Sequence, residues 1–300
     1  MGSTHAASRA AWLGPADAQR DEVAARLRGV PELRFPSSTQ GAATPVLRTE
    51  IALEPVVGAG VDALGASTGQ TRFAVLLSCY ARALAATTGQ DDFGIGVPVA
   101  QRFDARLEQT VGCHIGTVCV RVTPRLLSKD PAMSAVESGR LTREALACQD
   151  IGIDEVVRAV DPPRSTRAPF YQTLFVLQDN APPVLPFDGC TARYHRLPYL
   201  DVPSEIQTEV WPAPDGALRL AITSRGAAVA PAFARRLATT LAGLISALPW
   251  ARTHDPAHRP GRGCPGTRKP PRATTRGTAC SPHMVNMHPR LSKRLRREPG

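Results

Sequence analysis

The stretch from Thr71 to Val99 constrains the fold more than any other part of the chain. Thr71 stands where a helix N-cap belongs, and Phe73, Leu76, Leu77, Tyr80 and Leu84 then recur at helical spacing. Gly89 occupies the position of a C-terminal glycine cap. Four residues later Phe93 to Val99 is a short apolar run rich in β-branched residues, the pattern of a strand covered on both faces. A long amphipathic helix followed so closely by a doubly buried strand requires a sheet with a helical layer on it.

The rest of the chain extends that plan. Residues 12 to 29 read as a helix ending near Gly29, ahead of the Pro31 break, and Val46 to Leu53 reads as a half-buried strand. Helices are expected over Val56 to Ser67, over Met133 to Cys148 with Val136, Leu141 and Leu146 inward, and over Ile153 to Val160. Strands are expected at Ile115 to Val122, Thr173 to Gln178, Ala192 to Arg196, Ile206 to Trp211 and Leu218 to Thr223, with turns near Leu107 and over Asn180 to Pro183. A last helix, Pro231 to Leu248, buries Phe233, Leu237, Leu241, Leu244 and Leu248. Strands and helices alternate without strict repetition, so the expected class is α/β with a mixed sheet.

Charge divides the chain near Trp250. Of 36 Lys+Arg and 26 Asp+Glu, 12 and 2 fall in residues 251 to 300, which leaves 24 against 24 in residues 1 to 250. The basic segment also holds 8 of the 28 prolines and no aromatic residue, the composition of a disordered tail. Arg290, Lys293, Arg294, Arg296 and Arg297 form a positive cluster that a nucleic-acid arm would use. The competing readings are a solvated extension and translation of GC-rich DNA outside the ancestral frame; the abrupt change of character after Trp250 favours the second, and the neutral body argues against nucleic acid as the partner. Two domains are therefore expected, 1–250 and 251–300. Seven cysteines, an odd number without a Cys-x-x-Cys pair, fit free thiols in a reducing cytoplasm, and no apolar run reaches membrane-span length.

Residues able to do chemistry are few. The body has three histidines, His5, His114 and His195, none adjacent to another. Cys113 and His114, if on one strand, point to opposite faces and cannot act as nucleophile and base. No metal-ligand spacing, nucleophile elbow or phosphate-binding glycine loop is present.

The order of several segments is more informative. Thr71 to Tyr80 fits T-x-F-x-x-L-L-A-A-Y with substitutions at Ser78 and Cys79, Thr88 to Asp92 reads T-G-Q-D-D, and Gly96 to Arg102 fits G-x-P-x-A-x-R. Val111 to Arg121 is similar to V-G-x-F-V-N-T-L-x-L-R, departing at His114 and Gly116. Gln149 to Val157 is similar to Q-D-x-P-F-E-x-L-V, with Gly152 in place of proline. Arg164 to Gln172 followed by Leu174 to Gln178 is close to S-R-x-P-L-F-Q-x-x-F-x-L-Q. Together these resemble the C-terminal lobe of the condensation domain of nonribosomal peptide synthetases, over roughly residues 10 to 248.

The resemblance implies a two-layer sandwich of the CoA-dependent acyltransferase, chloramphenicol-acetyltransferase-like type. It also implies a partner, a peptidyl or aminoacyl carrier protein whose phosphopantetheine arm enters a tunnel between two lobes. The family's His-His-x-x-x-Asp-Gly motif lies in the N-terminal lobe, where its second histidine assists attack of an amine on a thioester. No His-His pair exists in these 300 residues, so no catalytic residue is assigned and the chain is expected to be inactive alone. A non-catalytic carrier-docking module, or half of a split domain completed by a separate N-terminal lobe, is the alternative. Arg102, Arg121, Arg167, Gln172 and Asp201 match family positions and are candidates for lining the tunnel or for structural ties. No cofactor is expected to bind this chain directly.

Overall fold

The computed structural model of this chain describes residues 16–37, 46–101, 110–179, 189–190 and 201–249. The expected turns near Leu107 and at Asn180 to Pro183, the expected strand Ala192 to Arg196, and the tail after Trp250 lie outside the described residues.

Local sequence signals produce the elements. Helix α1 (Ala16–Leu27) ends before Gly29, whose φ of 69° suits glycine. Helix α2 (Pro55–Thr68) starts with proline in its first turn and closes on left-handed Gly69. Helix α3 (Arg72–Thr88) has both expected caps: the Ala74 amide donates to Thr71 Oγ1 at 3.2 Å, and the amide of left-handed Gly89 donates to the Ala85 carbonyl at 2.8 Å. Helix α4 (Pro131–Leu146) is capped by Asp130, which accepts from the Ala132 amide at 2.9 Å. Helices α5 (Ile153–Val160) and α6 (Pro231–Ser246) complete the set among the described residues.

The strands are β1 (Val46–Leu53), β2 (Phe93–Ala100), β3 (Ile115–Val122), β4 (Thr173–Leu177), β5 (Ile206–Pro212) and β6 (Leu218–Arg225). They form one sheet in the order β1-β6-β5-β4-β2-β3. The pairs β2–β4 and β4–β5 are parallel and the others antiparallel, so the sheet is mixed.

Alternation along each strand sorts side chains between the faces. Phe93, Ile95, Val97 and Val99 of β2 join Val118, Val120 and Val122 of β3 in the main core, against the layer of α2, α3, α4 and α6. Tyr80 of α3 stacks on Phe175 of β4 at 5.2 Å between centroids, and its hydroxyl lies 2.5 Å from Thr173 Oγ1. Burial without a charged partner pushes the Tyr80 phenol up to about 12.

The intervening positions of β2 and β3 face a smaller cluster built from α1, α5 and Phe170. Here β2 needs glycine, because a Cβ on Gly94 would lie 2.0 Å from the Phe170 carbonyl oxygen. Phe170 itself has a φ of 67°, a left-handed conformation that aromatic residues rarely adopt.

Helix α4 corrects one expectation. Val136 is not inward but 44% exposed, and Met133 is 63% exposed. The buried stripe consists of Ser134, Ala135, Ser138, Gly139, Thr142 and Ala145. Leu141 and Leu146 are half-buried against the main core as expected, and only Val136 departs from the expectation.

Candidate functional site

Three of the five residues singled out by resemblance, Arg121, Arg167 and Gln172, converge on one short segment, the strap from Arg26 to Arg34 that leaves α1. Helix ends carry carbonyls without intrahelical partners, and α1 is no exception. The Arg121 guanidinium, from β3, donates to the carbonyls of Arg26 at 3.0 Å and Arg28 at 3.1 Å. Its other edge is held by Asp92 in a bidentate pair, Nε to Oδ1 at 2.8 Å and Nη2 to Oδ2 at 2.6 Å. A cation at a helix C-terminus, oriented by a carboxylate, satisfies the carbonyls and opposes the helix dipole.

Arg167 ties down the next part of the strap. Its guanidinium meets Glu205 at 2.5 and 2.9 Å, donates to the Leu33 carbonyl at 2.6 Å, and reaches Glu32 at 3.0 Å. A hydrogen bond from Ser165 and then the Arg167 charge hold the Glu32 carboxyl below its usual range. Gln172, buried to 1% exposure, accepts from the Leu33 amide at 2.7 Å and donates to the Ala168 carbonyl at 2.9 Å. Both ends of its amide are therefore used.

Two residues of the T-G-Q-D-D segment belong to the same construction and were not among the candidates. Gln90 accepts from the Arg34 amide at 2.7 Å and donates to the Glu32 carbonyl at 3.0 Å, while Asp92 orients Arg121. Glu205 was also missed, and nothing in its sequence surroundings marks it.

Asp201 stands apart from the strap. It is an exposed carboxylate that accepts from the Val202 amide at 2.8 Å and pairs with Arg225 at 3.1 and 3.2 Å. The Arg225 partner, with the Val202 amide, lowers its pKa. Arg102 lies outside the described residues.

Between the strap and the loop 160–170 runs a groove of about 770 Å³. Arg167, Glu32 and Phe170 line it, and the exposed Arg28 and Arg164 stand on its rim. A second cavity of about 240 Å³, mostly apolar, lies between α1, β3, α4 and α5 and includes Cys119 and Cys148. Burial pushes the Cys119 thiol up to about 12, Cys79 to about 11 and Cys148 upward, so all three stay protonated and weakly nucleophilic at neutral pH.

Cys113 and His114 sit in the turn before β3 rather than on a strand. Cys113 is exposed, whereas His114 is 8% exposed with Nε2 at 2.9 Å from Thr110 Oγ1. Gly116, a departure from the motif, makes room for Gln101, whose amide nitrogen would lie 2.4 Å from a Cβ there and which donates to the Gln149 carbonyl. Among the described residues no group of three or more His, Cys, Asp or Glu is arranged to hold a metal. No helix among them is long and apolar enough to cross a membrane.

The condensation-domain family matches residues 21–182, which contain the strap, all of its partners except Glu205, and the groove. The chain belongs to the condensation-domain family. Malpibaldin synthetase of Mortierella alpina is 31% identical over 177 residues, 58% of this chain and 3% of that protein. Tyrocidine synthase 3 of Brevibacillus parabrevis is 31% identical over 134 residues, 44% of this chain and 2% of that protein. The condensation-family chain thus spans a small part of these curated relatives.

Solved structures agree on the fold. The condensation domain of the monacolin K polyketide synthase MokA superposes with a TM-score of 0.63 at 16% identity, covering 78% of this chain and 57% of that one. The X-domain from teicoplanin biosynthesis gives 0.66 at 18% identity, covering 79% and 56%. Coverage of little more than half of each solved domain fits a single lobe of the chloramphenicol-acetyltransferase-like fold.

Proposed function

We propose that residues 1–250 form the C-terminal lobe of a condensation domain that takes part in amide-bond formation between carrier-bound aminoacyl and peptidyl thioesters. The lobe shapes one wall of the reaction site and supplies no acid or base. The observation that carries this reading is the use made of the motif residues. Arg121, Arg167 and Gln172 are committed to backbone carbonyls and a backbone amide of the strap and to the carboxylates of Glu32, Asp92 and Glu205, and no His-His pair is present in the 300 residues. The His-His-x-x-x-Asp-Gly lobe has to come from elsewhere, on the same polypeptide or another.

The partner is a carrier protein acting in the cytoplasm, and its phosphopantetheine arm brings the acyl group as a thioester. Arg28 and Arg164 on the rim of the groove suit the phosphodiester of such an arm, since both are exposed guanidinium groups beside a cleft of about 770 Å³. The same observation favours a second reading, in which the lobe is a docking module that holds a carrier without catalysis.

One experiment separates these readings. The purified chain is mixed with carriers bearing donor and acceptor thioesters, with and without a separately produced N-terminal lobe, and condensed product is read by mass spectrometry of the intact carriers. We expect no product from the chain alone and product when the lobe is added. Carrier binding with no product under either condition supports the docking module, and product from the chain alone overturns both.

A further inference from the structure

Strand β1 closes one end of the sheet, and among the described residues only its β6 side is paired. All eight of its residues pair with β6, from Val46 opposite Arg225 to Leu53 opposite Leu218, without a bulge. It contains no proline, lysine or bulge, and its two charges, Arg48 and Glu50, are of opposite sign. Its outer row of amides and carbonyls is thus a regular template eight residues long.

The sequence of this edge is self-complementary. Ile51 and Leu53 point with the helical layer, while Arg48 and Glu50 lie on the other face, where Arg48 reaches Glu50 at 2.6 Å and Glu209 at 3.3 Å. If a second β1 runs antiparallel with Thr49 opposite Thr49, Arg48 of each copy faces Glu50 of the other, and Leu47 faces Ile51. Faces match on both sides, so the helical layers and cores of the two copies continue one another. The neighbouring registers that keep the faces aligned place Arg48 opposite Arg48 or Glu50 opposite Glu50. Registers shifted by a single residue set Arg48 against Ile51 and mix the faces. One register alone combines opposite charges, a threonine pair and an aliphatic pair, each a favourable cross-strand neighbour.

We propose that β1 is a self-association edge, pairing antiparallel with β1 of a second copy of this chain about a two-fold axis at Thr49. The contact is isologous, each copy using its one β1 edge, so it closes at a dimer. The proposal stands on strand register and does not depend on the reading of the groove.

The test is made on the full chain with Cys113, Cys190, Cys264 and Cys280 replaced by serine. Across an antiparallel pair the Thr49 Cα atoms would be about 4.5–5.5 Å apart, inside the roughly 4.4–6.8 Å range that a disulfide spans. Thr49→Cys should therefore cross-link to a dimer on mild oxidation. Ala52→Cys should not, because its two copies would be displaced along the strands by about 20 Å. In sedimentation the unmodified chain should be a concentration-dependent dimer, and Glu50→Arg should weaken it about tenfold or more with an unchanged circular dichroism spectrum. A monomer at every concentration, assemblies larger than a dimer, or equal cross-linking by Thr49→Cys and Ala52→Cys would each overturn the proposal.

Discussion

The two ends of the sheet are held by different physics. At the β1–β6 end, α6 lays Phe233, Leu237 and Leu241 on Leu220 and Ile222, all buried, and an unbroken eight-residue ladder joins the strands. At the strap end Leu27, Val30 and Leu33 pack into apolar clusters, and polar side chains add a second kind of hold on the backbone. Arg121, Arg167, Gln172 and Gln90 reach its backbone from three different parts of the sequence. Apolar packing tolerates many sequences of similar volume. A hydrogen-bonded tie does not, because each donor must find a particular acceptor. Of the recognisable motifs, those carrying Gln90, Arg121, Arg167 and Gln172 make ties of this second kind, whereas Thr71 to Tyr80 lies in the apolar core.

Truncation in the main core should have the largest effect and spread furthest. Leu237→Ala removes a fully buried side chain of α6 and should cost about 2–5 kcal/mol, lowering the midpoint of a cooperative chemical unfolding curve read by circular dichroism. Gln172→Leu keeps the volume but leaves the buried Leu33 amide without its acceptor, at about 1–3 kcal/mol. Hydrogen exchange should report that loss at Leu33 and its neighbours, with α6 unchanged. If both variants loosened the whole lobe equally, the distinction between the two ends would fail.

Arg121→Lys sharpens the comparison, because it keeps the charge at the end of α1 and removes the fork that meets Asp92 and two carbonyls at once. The expected cost is about 1–2 kcal/mol, confined in hydrogen exchange to residues 24–30. An unaltered exchange pattern would mean that charge alone holds the helix end.

How much of this was legible in the sequence follows the same division. Helix α3 could be read with its caps because Thr71, the apolar spacing and Gly89 are all local signals. Strands β5 and β6 were visible as strand-like segments for the same reason. The inner face of α4 was legible only in part: Leu141 and Leu146 do pack on the core, but its fully buried stripe is made of small residues such as Ser134, Ala135, Ser138 and Gly139, which periodicity does not weigh. The strap escaped a reading from residues alone because its ties span great distances in sequence: Gln172 meets Leu33 across 139 positions and Arg167 meets it across 134. Resemblance brought Arg121, Arg167 and Gln172 to notice without saying what they touch. Gln90 and Asp92 stand inside the T-G-Q-D-D motif, which does not say what they hold, and Glu205 carried no signal.

The smallest expected effect is a pH dependence confined to the strap. Glu32 has its pKa lowered from 4.5 by Ser165 and Arg167, so its carboxylate is favoured in the folded chain. Its contribution to stability is therefore fully present above the unfolded-state value and is lost as pH falls through the lower folded-state value. Because the side chain is 42% exposed, solvent screens the pair and the contribution should stay below about 1 kcal/mol. Exchange at the Leu33 amide, corrected for intrinsic rates, should accelerate as the pH falls below 4.5, and Glu32→Gln should remove that acceleration while leaving α6 unaffected. Persistence of the acceleration in the glutamine variant would mean that Glu32 is not the source of the pH response.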